Sequence, residues 1–84
     1  PLLDRLDPAD IEKDPKTQLQ ELMHAGGKKL PEYRVVATHG APHQRSFEVE
    51  CALPDLGLAA VGTGTSLQRA EQQAAQRVLE KLGR

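Results

Sequence analysis

Eighty-four residues with 11 Lys and Arg against 12 Asp and Glu give a formal net charge of −1, which is the length of one domain and excludes a strongly basic, purely charge-driven polyanion binder. The single cysteine, Cys51, excludes an intramolecular disulfide and fits a reducing compartment. No apolar run approaches the ~20 residues of a membrane-spanning helix, and no secretory leader opens the chain, so a cytoplasmic location without membrane contact is expected.

Residues 1–14 hold Asp4, Asp7, Asp10, Glu12 and Asp14 against Arg5 and Lys13. Five acids against two bases leave this stretch at −3 and residues 15–84 at +2. Pro8 interrupts the sparse apolar residues Leu2, Leu3, Leu6 and Ile11, a pattern that reads as a linker rather than an independent element. Residues 1–13 are therefore expected to be an acidic linker and residues 14–84 the folded domain. The opening Pro1, in place of Met, suggests a piece of a longer protein.

Asp14-Pro15-Lys16-Thr17 predicts the start of a first helix, because Asp14 can accept from free backbone N–H groups and Pro15 suits the first helical position. Leu19, Leu22 and Met23 form its inward face. Thr17, Gln20, Glu21 and His24 then face water, and Gly26-Gly27 stops the helix. A first strand is expected over Glu32 to His39, with Tyr33, Val35 and Ala37 on one side and Arg34, Val36 and Thr38 on the other. In a second, Ser46 to Leu53, Phe47, Val49, Cys51 and Leu53 point one way and Ser46, Glu48, Glu50 and Ala52 the other. The sheet should thus have one dry and one wet face. Gly40 to Arg45 is longer than a tight hairpin requires.

Pro54-Asp55-Leu56-Gly57 predicts a turn, and Leu58 to Gly62 a short third strand. Thr65 or Ser66 caps a second helix, Thr65 with Gln68 having capping-box spacing. Ala70, Ala74, Val78 and Leu82 make its apolar stripe, widened by Leu67, Ala75 and Leu79, and Gly83 ends it. The fold class is α+β, in the order helix, three strands, helix, with both helices on one face of a three-stranded antiparallel sheet.

Several chemistries find no support. Gly62-x-Gly64 lacks a third glycine and the lysine-serine of a phosphate loop. His24, His39 and His43 have no metal-ligand spacing with Cys51. Cys51 sits on the apolar side of its strand and reads as a small core hydrophobe. Tyr33 and Phe47, the only aromatics, both point to the dry face, which argues against single-strand binding by base stacking.

Local motifs now narrow the reading. Asp14 to Glu21 resembles the opening of the first helix in the RNA-binding domain of the ribonuclease III family. Pro31-Glu32-Tyr33 is similar to that family's Pro-x-Tyr, Gly40-Ala41-Pro42-His43 to its Gly-x-x-His loop, and Phe47-Glu48-Val49 to its Phe-x-Val. Gly62 to Ser66 followed by Arg69 to Ala75 is similar to the end of its third strand and the start of its second helix. The resemblance covers residues 14–82 and implies the α-β-β-β-α double-stranded-RNA-binding fold. Residues 1–13 look like the join to a catalytic half whose acidic signature is absent from these residues. The implied parent is a bacterial, Mg²⁺-dependent endoribonuclease that acts on double-stranded RNA, including ribosomal RNA, as a homodimer through its other domain. This segment would grip substrate as a monomer, with no catalytic site, metal or cofactor of its own.

Duplex RNA offers a wide, shallow minor groove lined with 2′-hydroxyls. A shape reader needs short polar side chains on a rigid surface and donors spaced for phosphates. The expected RNA-binding residues are Thr17, Gln20 and Glu21 on the first helix, Pro42 and His43 in the loop, and Ser66, Gln68, Arg69 and Gln72 at the second helix. One departure stands out: Leu67-Gln68 occupies the place of the family's basic pair, and Glu71 sits where some relatives have Lys. Fewer phosphate ligands imply weak binding and a shallow salt dependence. The same departure motivates the alternative of a protein-interaction module with little RNA affinity.

Overall fold

A computed structural model describes residues 14–83; the linker expected over residues 1–13 lies outside them. The element order is α1 (Pro15–Ala25), β1 (Glu32–His39), β2 (Ser46–Leu53), β3 (Leu58–Gly64) and α2 (Leu67–Lys81). The strands form one antiparallel sheet in the order β1-β2-β3.

Helix α1 starts as its sequence dictates. Asp14 is the N-cap, and the Thr17 N–H donates to its Oδ1 at 2.8 Å. That N–H holds the Asp14 carboxyl below its ordinary range. Pro15 occupies the first turn, where an N–H would have no acceptor. The helix ends at Gly26, and Gly27 takes the left-handed backbone (φ +68) that brings the Lys28 N–H back to the Met23 carbonyl.

Strand β2 is central, and its alternation holds throughout: Val49, Cys51 and Leu53 are buried and Phe47 is half-buried. Strand β1 follows the expected alternation only as far as Val35. A register shift between Val35 and Ala37 then pairs Ala37 with Glu48 and Thr38 with Phe47. The bulge thus turns Ala37 to the open face, opposite to the expectation, because the extra residue reverses the side chains beyond it. Strand β3 runs two residues past the expected end, to Gly64.

Helix α2 lies across β3 and β2. Ala70, Ala74, Ala75, Val78 and Leu79 are buried and Leu82 is half-buried. Gly62 on β3 makes this closeness possible, since a Cβ there would overlap the backbone of Ala70 and Ala74. Two expectations fail at the start of this helix. The cap is Ser66, whose Oγ accepts from the Arg69 N–H at 3.2 Å, so Thr65 and Gln68 form no capping box. Leu67, the first helical residue, is 43% exposed and leaves the apolar stripe, whose buried part begins at Ala70. Gly83 (φ +84) follows the last helical turn as expected.

The core lies between the sheet and the two helices. It joins Leu19 and Met23 of α1, Cys51 and Leu53 of β2, and Ala74, Ala75, Val78 and Leu79 of α2. Cys51 is fully buried, and desolvation pushes its thiol pKa up. Among the described residues no helix is long and apolar enough to cross a membrane.

Candidate nucleic-acid interface

On α1, Thr17, Gln20 and Glu21 are exposed and lie at i, i+3 and i+4, on the side opposite the buried Leu19 and Met23. They form one polar row. Gln20 also borders a small cavity with Lys16, Leu30, Pro31 and Tyr33.

The β1–β2 connection is a shaped loop. The Gln44 N–H donates to the Ala41 carbonyl at 2.9 Å, which puts Pro42 and His43 at the two central positions of a turn. Pro42 fixes the backbone at the first of them. Gly40 adopts φ +90, and a Cβ there would overlap the Gln44 carbonyl. Pro42 and His43 are therefore held out at an exposed tip. A cleft lined by Pro42, His43, Gln44, Arg45, Ser46, Phe47 and Thr65 joins this loop to the residue before the α2 cap. Loop and helix start, 20 residues apart in sequence, are thus one surface. Gln44 and Thr65 escaped the sequence reading because no periodic pattern reports a contact between a loop and a helix start.

At α2, Ser66 spends its hydroxyl on the Arg69 N–H. The N–H groups of Leu67 and Gln68, the first two of the helix, precede any in-helix acceptor. Gln68 and Arg69 are exposed beside them. Gln72 is different: it is half-buried, and its Oε1 accepts from the Lys16 N–H at 3.1 Å. Its carbonyl is turned to α1. The two helix starts therefore differ in kind. The first turn of α1 is closed, with Lys16 N–H on Gln72, Thr17 N–H on the Asp14 side chain and Gln18 N–H on the Asp14 carbonyl.

Charge is distributed unevenly over this surface. Lys16 pairs with Glu71 of α2, and its ammonium lies 5.0 Å from the Tyr33 ring centroid. Arg34 pairs with Glu50 on the open sheet face, and His39 lies 2.8 Å from Glu48 there. Arg77 donates to the Val61 carbonyl on β3. Arg45 lines the cleft, and Arg69 is exposed in the first turn of α2. Three of the expected groups (the α1 row, the loop tip and the α2 start) are linked through the cleft and through the Gln72 bond. Gln72 joins the set as a bridge.

Comparison with known proteins identifies relatives of this fold. The chain is 48% identical over 84 residues to a protein called Ribonuclease 3 from Ralstonia nicotianae, covering all of this chain and 33% of that protein. It is 49% identical over 80 residues to Ribonuclease 3 from Bordetella pertussis, covering 95% of this chain and 31% of that one. The chain thus spans about a third of the length of these curated relatives, matching their C-terminal region. A solved structure of Arabidopsis HYL1, described in connection with miRNA processing, superimposes with a TM-score of 0.71 at 26% identity, over 83% of this chain and 97% of that one. The family described as "Double-stranded RNA binding motif" matches residues 15–82. The chain belongs to the double-stranded-RNA-binding motif family.

Proposed function

We propose that this domain holds duplex RNA by shape, as the substrate-gripping part of a ribonuclease III-type endoribonuclease. The reading is carried by two links: the cleft joins the loop tip to the residue before the α2 cap, and the Lys16–Gln72 bond ties α2 to the first turn of α1, where the polar row begins. Thr17, Gln20 and Glu21 suit a minor groove, where an amide can donate to and accept from a 2′-hydroxyl and a carboxylate accepts from it. His43, at the tip beyond Pro42, suits a second minor groove. Ser66, Gln68 and Arg69 suit the phosphates between, because the free N–H groups and partial positive charge of the α2 start favour an anion.

In this reading the catalytic half lies elsewhere in the parent protein. There Mg²⁺ would supply the hydrolytic chemistry, in a parent that works as a homodimer. The setting is a bacterial cytoplasm, and the substrates are ribosomal RNA and other structured RNA. The present chain contributes grip as a monomer.

The test is the double variant Gln20→Ala with His43→Ala. Both side chains are exposed, so the melting temperature should stay within about 4 °C, as expected for surface changes worth under ~0.5 kcal/mol together. Affinity for a ~20-base-pair RNA duplex should fall roughly 10-fold or more, the loss of two hydrogen-bonding groups. Unchanged affinity would remove these residues from the interface and favour the protein-interaction alternative.

A further inference from the structure

The polar coupling between the two helices is only partly exposed, the Lys16 and Glu71 side chains keeping 34% and 26% of their surface. Lys16, in the first turn of α1, is held twice by adjacent residues of α2: its N–H donates to Gln72 Oε1 at 3.1 Å, and its ammonium pairs with Glu71. The ammonium also lies over Tyr33. Both partners are more than 50 residues away in sequence. Thr17, the next residue, begins the polar row, and Gln20 lies one turn on, beside Lys16. Glu71 and Gln72 lie one to two turns beyond the Ser66 cap. The clamp therefore ties the row proposed for the minor groove to the helix start proposed for phosphates.

We infer that Gln72 and Glu71 are positioning residues: through Lys16 they fix the spacing between the α1 row and the α2 start, and that fixed spacing lets the domain select A-form over B-form duplexes. This rests on the RNA-binding reading above and assigns Gln72 a role other than direct contact. The physical basis is preorganisation. Contacts on two rigid arms reach the minor groove and the neighbouring phosphates together without loss of freedom on binding only if the arms are already at the right separation. A-form and B-form duplexes differ in groove width, so a fixed separation fits one of them and a loose one discriminates less. Glu71 also neutralises Lys16, so the clamp supplies geometry and withholds a phosphate ligand.

The experiment compares this chain with Gln72→Ala, Lys16→Gln, Glu71→Lys and the exchange Lys16→Glu with Glu71→Lys. Each is titrated with a ~20-base-pair RNA duplex and the matched DNA duplex at two salt concentrations. Gln72→Ala should weaken RNA binding roughly 3–10-fold, the effect of one lost hydrogen bond. DNA binding and the salt slope should stay as they are, because no charge is lost. Glu71→Lys should lower the RNA-to-DNA ratio, and the exchange should recover it, which a merely structural defect or a direct contact would not produce. Where Gln72→Ala melts below the assay temperature, the exchange decides alone. The inference is overturned if Gln72→Ala keeps the ratio, if the exchange fails to restore it, or if Lys16→Gln makes the salt slope shallower by about one, which would make Lys16 a phosphate ligand. If the parent chain itself fails to bind RNA, the function proposed above falls and the inference with it; if only the variants behave otherwise, the inference alone falls.

Discussion

Asp14 carries two roles on one carboxylate: it caps α1 and begins the segment that meets α2. The Thr17 N–H lowers its pKa from the usual 3.8, so the folded state binds a proton there less readily than the unfolded state. Its stabilisation is therefore full above the unfolded value and is lost as pH falls through the lower, folded value. Asp14→Ala should cost about 1 kcal/mol at pH 7, about 4–8 °C in melting temperature for a domain of this size. The gap between variant and parent should close as the medium is acidified from 3.8 down through the lower, folded value; a gap that persists once the carboxyl is protonated in both states would deny it its capping role. This residue was legible in the sequence because cap and N–H are three positions apart. The Lys16–Gln72 and Lys16–Glu71 links were not. Periodicity shows which side of a helix is polar, and it does not show which polar side chain turns inward to bridge to another element. Gln72 was accordingly grouped with the exposed residues around it.

At the scale of elements, the close approach of α2 to β3 depends on Gly62 and Gly64. A Cβ on Gly62 would meet backbone atoms of Ala70 and Ala74, and one on Gly64 would meet the Ala70 amide and Arg69. Backbone cannot swing aside as the end of a long side chain can. Gly62→Ala should therefore lift the helix and cost about 1–3 kcal/mol as an overpacked contact, lowering the melting temperature by at least about 4 °C; a thermal melt unchanged by this substitution would contradict the packing. The glycine pair was visible as a motif that excluded a nucleotide loop and carried part of the family resemblance. Its packing role needed the partner helix. The bulge in β1 was hidden for a different reason. Val35, Val36 and Ala37 are consecutive apolar residues, so period-two contrast vanishes where the register slips. Strand β2, whose apolar and polar residues alternate cleanly, was readable from end to end.

For the whole molecule, the question is how a domain with so small a positive balance holds a polyanion. Lys16 and Arg34 are paired with carboxylates, and Arg77 is committed to the β3 backbone. Arg45 lines the cleft and Arg69 is exposed in the first turn of α2, and neither has an ion-pair partner among the described residues. Affinity must then come largely from shape and hydrogen bonds, and the electrostatic part should be modest. The fold class, the element order and the α1 row were legible because they follow from local patterns and family motifs. The merging of loop tip and helix start into one cleft was not, since that depends on how the sheet end meets α2.

The account turns on recognition of duplex shape with few charges, and one titration meets it most directly. The chain is mixed with a ~20-base-pair RNA duplex, the matched DNA duplex and the separate strands across a range of salt. The account predicts preference for the RNA duplex over both others, with a logarithmic salt slope of about two, from Arg45 in the cleft and Arg69 at the α2 start. Equal affinity for RNA and DNA duplexes, or a slope of five or more, would contradict it.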